Sequence, residues 1–238
     1  MALPTFRENY VWHRVHSITG VMPVGYYMVQ HLALNTFSIA GPDKFNAVIE
    51  FFEGMPKHFL LALEVAMIWL PLLFHAIYGC FIISRAENNY LTTKYKWSQN
   101  RMFFLQRVSG GAIFFFLIYH VFSTTFQKYK SGSADIIKYP AMSEHFHHPI
   151  ILAVYVLGIL GASYHLAYGI WNFCIRWGIT VTEAAQQRIQ KISAVLFVAI
   201  TLMGWVALAG FFMYKPSGAP SAAPVASGPA GTSIGFSR

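Results

Sequence analysis

Five predominantly apolar runs, near residues 15–37, 59–84, 102–126, 149–175 and 190–213, occupy most of the chain. Each is long enough to cross a bilayer core that takes about 20 helical residues. Lipid offers no partner to a backbone N–H or C=O, so such a run satisfies its own backbone as a helix. The fold class this predicts is an all-α membrane protein with five transmembrane helices. Charge agrees: 11% of the 238 residues are charged, against about 25% in soluble domains.

The first four runs are expected to form a bundle within a domain covering residues 1–214. Three polar connections are of ordinary size and a fourth, around 127–148, is longer. Residues 215–238, KPSGAPSAAPVASGPAGTSIGFSR, have no hydrophobic period and read as a disordered Pro, Ala, Gly and Ser tail. The segment MALPTFRENYVWHRVHS lacks the short apolar core and cleavage site of a signal peptide, so the first run is expected to be retained.

With the N-terminus cytoplasmic, the inner flanks collect Arg7, Arg14, Arg85, Lys94, Lys96, Arg101, Arg107, Arg176, Arg188 and Lys191, ten of the 17 Lys and Arg. That bias predicts a multi-pass protein with its N-terminus in the cytoplasm and its C-terminus outside. The formal charge of +8 sits at helix ends and reads as anchoring to lipid head groups, not as nucleic-acid binding. Cys80 and Cys174 form no CxxC pair and fit no zinc spacing.

Four of ten histidines lie deep in apolar runs: His31, His75, His120 and His165, one in each of the first four. A polar side chain in a bilayer is costly and usually faces the bundle or a partner. One imidazole bonded to a neighbouring helix would account for any of them singly. Their spacing says more. His31 to His120 is 89 residues and His75 to His165 is 90, so the first two runs read as a diverged copy of the next two. HxxYG at His75 and His165, and RVHSITG against QRVSGG, support the copy. A two-helix repeat keeps its direction through the membrane, so equivalent histidines should face each other at equal depth. Taking ~1.5 Å per residue, the two levels lie roughly 15 to 20 Å apart.

Two stacked pairs of neutral imidazoles suit two b haems, each with one axial ligand from either side. Zinc or a di-iron centre would call for further cysteine or carboxylate ligands at the same level. Gly20, Gly25, Gly79, Gly110, Gly111, Gly161 and Gly169 would admit a flat macrocycle, although small residues also serve ordinary helix packing. Arg14, His16, Ser17, Arg107 and Arg176 stand at the inner ends, where haem propionates would find cations and hydrogen bonds. Interface anchoring accounts for each of these equally well.

The stretches HSITGVMPVGYYMVQHL, LPLLFHAIYG, FFLQRVSG, IYHVF and RWGITVT resemble the single-chain, five-helix dihaem cytochrome b subunit of the succinate:quinone oxidoreductases, that is, of succinate dehydrogenase and fumarate reductase. The resemblance runs from about residue 10 to 214. It implies that His75 and His165 ligate a proximal haem and His31 and His120 a distal one. It implies partners too: an iron–sulfur subunit docked on the cytoplasmic face and, through it, a flavoprotein carrying covalent FAD, in a complex of bacterial inner membranes that is monomeric or dimeric. Succinate or fumarate chemistry would lie in the flavoprotein. This chain would carry electrons to or from a quinone, typically menaquinone, near the distal haem.

Glu64 is the one carboxylate well inside an apolar run. It precedes His75 by 11 residues, about three turns, which predicts a shared face and a role in quinone proton exchange, against a purely structural hydrogen bond. Glu50 and Glu53 in the first outer loop are rival acids, and Tyr27 and Gln30 beside His31 are weaker candidates for the quinone vicinity. The EHFHH run at 144–148 reads as a solvated helix start. Some family members carry a glutamate two residues before the fourth haem ligand, thought to return protons across the membrane. Ser163 holds that position here, which predicts coupling of electron transfer to the membrane potential. Pro71 should bend the second run. Two other readings share parts of this pattern: a dihaem anchor of a hydrogenase, formate dehydrogenase or nitrate reductase, and a haem-free transporter.

Overall fold

The structure, a computed structural model, describes residues 10–86, 89–92, 94 and 97–213. Arg7, Lys96 and the tail 215–238 lie outside the described residues. Every regular element among the described residues is helical. Four stretches, Lys57–Arg85, Ser98–Ser131, Pro149–Arg176 and Glu183–Met213, are long and apolar enough to cross a membrane. The chain is thus a multi-pass helical membrane protein.

The first run is helical from residue 10 to 35, as α1 (Tyr10–Thr19), a π segment (Gly20–Gly25) and α2 (Tyr26–Asn35). It does not join the other four on apolar content, because His13, Arg14, His16, Pro23, Gln30 and His31 dilute it. The second stretch comprises α4 (Lys57–Glu64), a π segment (Val65–Trp69) and α5 (Leu70–Arg85). After α6 (Asn89–Thr92), the third comprises α7 (Ser98–Val121), a π segment (Phe122–Phe126) and α8 (Gln127–Ser131). The fourth and fifth are α10 (Pro149–Arg176) and α11 (Glu183–Met213). α10 packs on α7 and α11, α11 also packs on α2, and α1 packs on α5.

Each π segment has a local cause. Pro23 and Pro71 lack an N–H, and a proline ring displaces the carbonyl one turn earlier; the helix absorbs the mismatch as a π turn. The one before Pro71 is the irregularity expected in the second run. The third contains no proline. There Ser123 Oγ and Thr124 Oγ1 donate to the His120 carbonyl at 3.2 and 2.5 Å, drawing it away from the regular ladder.

The two connections at the end opposite Arg14 are structured. A 3₁₀ turn (Thr36–Ala40) leads into α3 (Pro42–Glu53), and α9 (Tyr139–His147) precedes α10. α3 turns Phe45 and Ile49, four residues apart, toward the core. The EHFHH run therefore ends α9 instead of starting a helix, and its Phe146 is buried. Phe45, Tyr139, Phe146, Tyr155, Ile159, Leu208 and Phe211 form one buried cluster that welds this cap to α10 and α11.

Hydroxyl groups fasten the cap to the last turns of α11. Tyr139 Oη donates to the Gly210 carbonyl at 2.6 Å and Ser143 Oγ to the Phe211 carbonyl at 2.8 Å. Both carbonyls lie in the last described turn of α11. Ser38 Oγ adds a bond to the Ala207 carbonyl at 2.7 Å. A Cβ on Gly210 would meet Ser38 and lie 2.6 Å from the Ile39 backbone nitrogen. Gly210→Ala should therefore destabilise the detergent-solubilised protein by about 1–3 kcal/mol, and Tyr139→Phe by about 1 kcal/mol. Thermal denaturation followed by circular dichroism checks both; an unchanged midpoint in Gly210→Ala would show that the cap is not tightly seated.

Candidate cofactor site: two opposed histidine pairs

His75 and His165 face each other across the bundle with ring centroids 6.1 Å apart and planes at 88°. His31 and His120 do the same at 5.8 Å and 78°. The four half-buried imidazoles thus meet in the two combinations that their sequence spacing predicts. Metal–imidazole bonds run to about 2.0–2.1 Å, so centroid separations of this size would leave room for one metal ion between the rings of each pair.

The first pair is tied to the backbone. His75 Nδ1 donates to the His16 carbonyl at 2.9 Å, and His165 Nδ1 to the Gln106 carbonyl at 3.1 Å. A carbonyl only accepts, so Nδ1 carries the proton in both rings and Nε2 is left as a lone-pair donor. Both bonds span 59 residues in sequence, and their acceptors are 90 residues apart, as are the donors. Glycines complete the match: a Cβ on Gly20 would strike the His75 ring, and one on Gly110 would lie 2.9 Å from the His165 ring. Gln106 Nε2 also donates to the His165 carbonyl at 2.9 Å. On the other side, the His16 ring stacks on His75 at 4.0 Å.

The second pair is tied to side chains. His120 Nδ1 lies 3.1 Å from Tyr155 Oη. Asn35 Nδ2 donates to the His31 carbonyl at 2.8 Å and stands 3.4 Å from His31 Nε2. Tyr27 packs against His31 at 5.6 Å, whereas Gln30 is on the exposed side of α2.

Polar groups gather at the Arg14 end. The Arg14 guanidinium lies over the Tyr10 and Trp177 rings at 4.2 and 4.8 Å. Ser17 Oγ accepts from the Trp177 indole at 3.0 Å and donates to the Arg14 carbonyl at 2.9 Å. Arg14 Nε, His16 Nδ1 and Gln106 Oε1 are buried with no hydrogen-bond partner among the described residues. Such groups suit an anionic ligand that enters from this end. Arg176, exposed in the last turn of α10, is near enough for its charge to act on His16, and Arg107 is half-buried beside Gln106.

The acids separate. Glu53 pairs with Lys128, and Glu50 lies 3.9 Å from Lys138, which also holds Asp135 at 3.0 Å. Lys138 keeps the exposed Asp135 carboxyl below its usual range. Glu64 accepts from Tyr129 Oη at 2.8 Å. The face it was expected to share with His75 changes, because the π segment Val65–Trp69 lies between them. An inserted residue rotates a helix face by about 100°. Ser163 is fully buried and its Oγ has no partner among the described residues.

Residues 88–208 match the family described as succinate dehydrogenase/fumarate reductase transmembrane subunit. Over 205 residues the chain is 35% identical to the succinate dehydrogenase cytochrome b558 subunit of Bacillus subtilis (strain 168), covering 86% of this chain and 98% of that protein. The chain belongs to this family. It is a membrane cytochrome b subunit of an enzyme complex, which implies haem b here and flavoprotein and iron–sulfur subunits as partners. Its residues fit a haem: opposed imidazoles with Nε2 free in one pair, glycines against the His75 and His165 rings, and orphaned polar atoms at one end.

Sequence reasoning did not single out Gln106, Asn35, Tyr129 or Tyr155. For Gln106 the signal was present, since the 90-residue offset carries His16 onto it. Gly20→Ala and Gly110→Ala should lower the b-type absorbance per protein in reduced-minus-oxidised spectra. Gly111→Ala, whose Cβ meets nothing within 4 Å, should leave it unchanged. Equal spectra for all three would remove the glycines from the site.

Proposed function

We propose that this subunit passes electrons between an iron–sulfur subunit on the cytoplasmic side and a membrane quinone, menaquinone being the typical one, through two bis-histidine b haems. The observation that carries the reading is the pair of cross-bundle imidazole contacts, at 6.1 and 5.8 Å. Haem b held by these histidines would supply one-electron transfer.

The chain's own residues orient and insulate. His75 and His165 hold the proximal haem near the Arg14 end, which is the cytoplasmic end in this reading, and His31 and His120 hold the distal haem. Arg14, His16, Ser17, Arg107 and Arg176 receive the proximal propionates. The matching hydrogen bonds at His75 and His165 support an ancestral two-helix repeat. Residues 10–35 then form the first of five spans, and α11 packs outside the four that carry ligands.

Glu64, with Tyr27 and Tyr129, exchanges protons with the quinone. Both tyrosines are exposed on the surface of the bundle, whereas Glu53 is held by Lys128 and Glu50 lies near Lys138. With Ser163 buried at the position of the family's proton-returning glutamate, electrons crossing between the haems are uncompensated. Such a charge feels about 2.3 kcal/mol per 100 mV.

The experiment is haem stoichiometry on the purified complex. Wild type should contain two b haems per chain, and His75→Ala and His31→Ala should each lose one; a colourless wild type would return the histidines to the transporter reading. In proteoliposomes, Glu64→Gln should slow quinone turnover about 10-fold or more while succinate oxidation by an artificial dye continues. In the same vesicles an uncoupler should change the wild-type quinone rate, and a rate indifferent to it would refute the electrical coupling.

A further inference from the structure

We propose that Tyr155 is a positioning residue for the distal ligand His120, its hydroxyl accepting the Nδ1–H and thereby setting how strongly that imidazole donates to a haem iron. The inference rests on the haem reading above.

The two pairs are held by different chemistry. His75 and His165 both donate to backbone carbonyls, acceptors that no side-chain substitution removes, and Ser109 Oγ stands at 3.3 Å from His165 Nδ1 as a second, longer contact. His120 Nδ1 faces a phenol oxygen at 3.1 Å. An imidazole that gives one nitrogen lone pair to a metal carries its proton on the other, so Nδ1 donates and the phenol accepts. Such a second partner fixes the ring and raises the ligand's basicity.

The hydroxyl is placed by a rigid surround. Tyr155 is 4% exposed. Its ring packs edge-on against Phe146 at 4.8 Å, Phe116 at 5.3 Å and His120 at 5.7 Å. It belongs to the buried cluster of Phe45, Tyr139, Leu208 and Phe211, so the cap formed by α3 and α9 sets the position of a group bonded to a haem ligand. Among the described residues no such link runs from the cap to His75 or His165, whose acceptors lie on α1 and α7.

The test is a potentiometric titration of the two haems in the assembled complex, for wild type, Tyr155→Phe and Tyr119→Phe. Tyr119 packs on Tyr155 at 6.3 Å and serves as a packing control. Without its acceptor, His120 donates less and ferric iron is less favoured. Tyr155→Phe should therefore shift one midpoint upward and leave the other in place, or release that one haem alone; Tyr119→Phe should move neither. Unchanged midpoints, a downward shift, equal shifts of both haems, or the same shift in Tyr119→Phe would overturn the proposal. If Tyr155→Phe does not assemble, 3-fluorotyrosine incorporated at Tyr155 keeps the shape with a weaker acceptor. It should produce a smaller upward shift of one haem, and no shift would be equally decisive against. Absence of haem from wild type would instead defeat the functional reading itself.

Discussion

An imidazole placed inside a bilayer must give its N–H to a neighbour, and in this protein that requirement organises the bundle. His75 and His165 use carbonyls on α1 and α7. Each bond locks a tautomer, brings two helices into register and demands a residue without a side chain where the ring passes, which is why Gly20 and Gly110 stand opposite the rings. A helix carrying such a histidine cannot slide along its neighbour without leaving a buried donor unsatisfied, a cost of about 1–3 kcal/mol.

The π segments follow from the same economy of backbone groups. Pro23 and Pro71 withdraw donors from the helical ladder, and Ser123 and Thr124 draw the His120 carbonyl out of it. In lipid these defects are tolerated where neighbouring helices and local adjustments satisfy the freed groups. Each falls within a helix that carries one of the four histidines and shifts the angular position of everything on one side of it. Glu64 meets Tyr129 across just such a shift.

The two ends of the molecule are built differently. The Arg14 end holds buried cationic and polar atoms lacking internal partners, which suits a site completed by something other than this chain. At the Tyr139 end, α3, α9 and the last turn of α11 close over an aromatic core with their hydroxyls and carbonyls paired. On the proposed reading, the first end meets the iron–sulfur subunit and cofactor propionates, while the second stiffens the distal site and leaves Tyr27 and Tyr129 at the membrane side.

The apolar runs, the four histidines and their 89- and 90-residue spacings determine a helical membrane protein with paired imidazoles. Apolar runs of about 20 residues satisfy their own backbone in lipid as helices, and a two-helix copy would bring like positions together. The neighbours of each imidazole were out of reach of that argument. Tyr155 lies 35 residues from His120, and Tyr129 65 residues from Glu64, and no periodicity links such positions. The π segments broke the three-turn count between Glu64 and His75, because a helical period read from sequence assumes an unbroken α-helix. The cap was hidden because α3 and α9 are short, carry charge on one face and look like polar loops. Only tertiary packing decided which ring nitrogen has which partner, since that depends on distances between helices set by all their side chains at once.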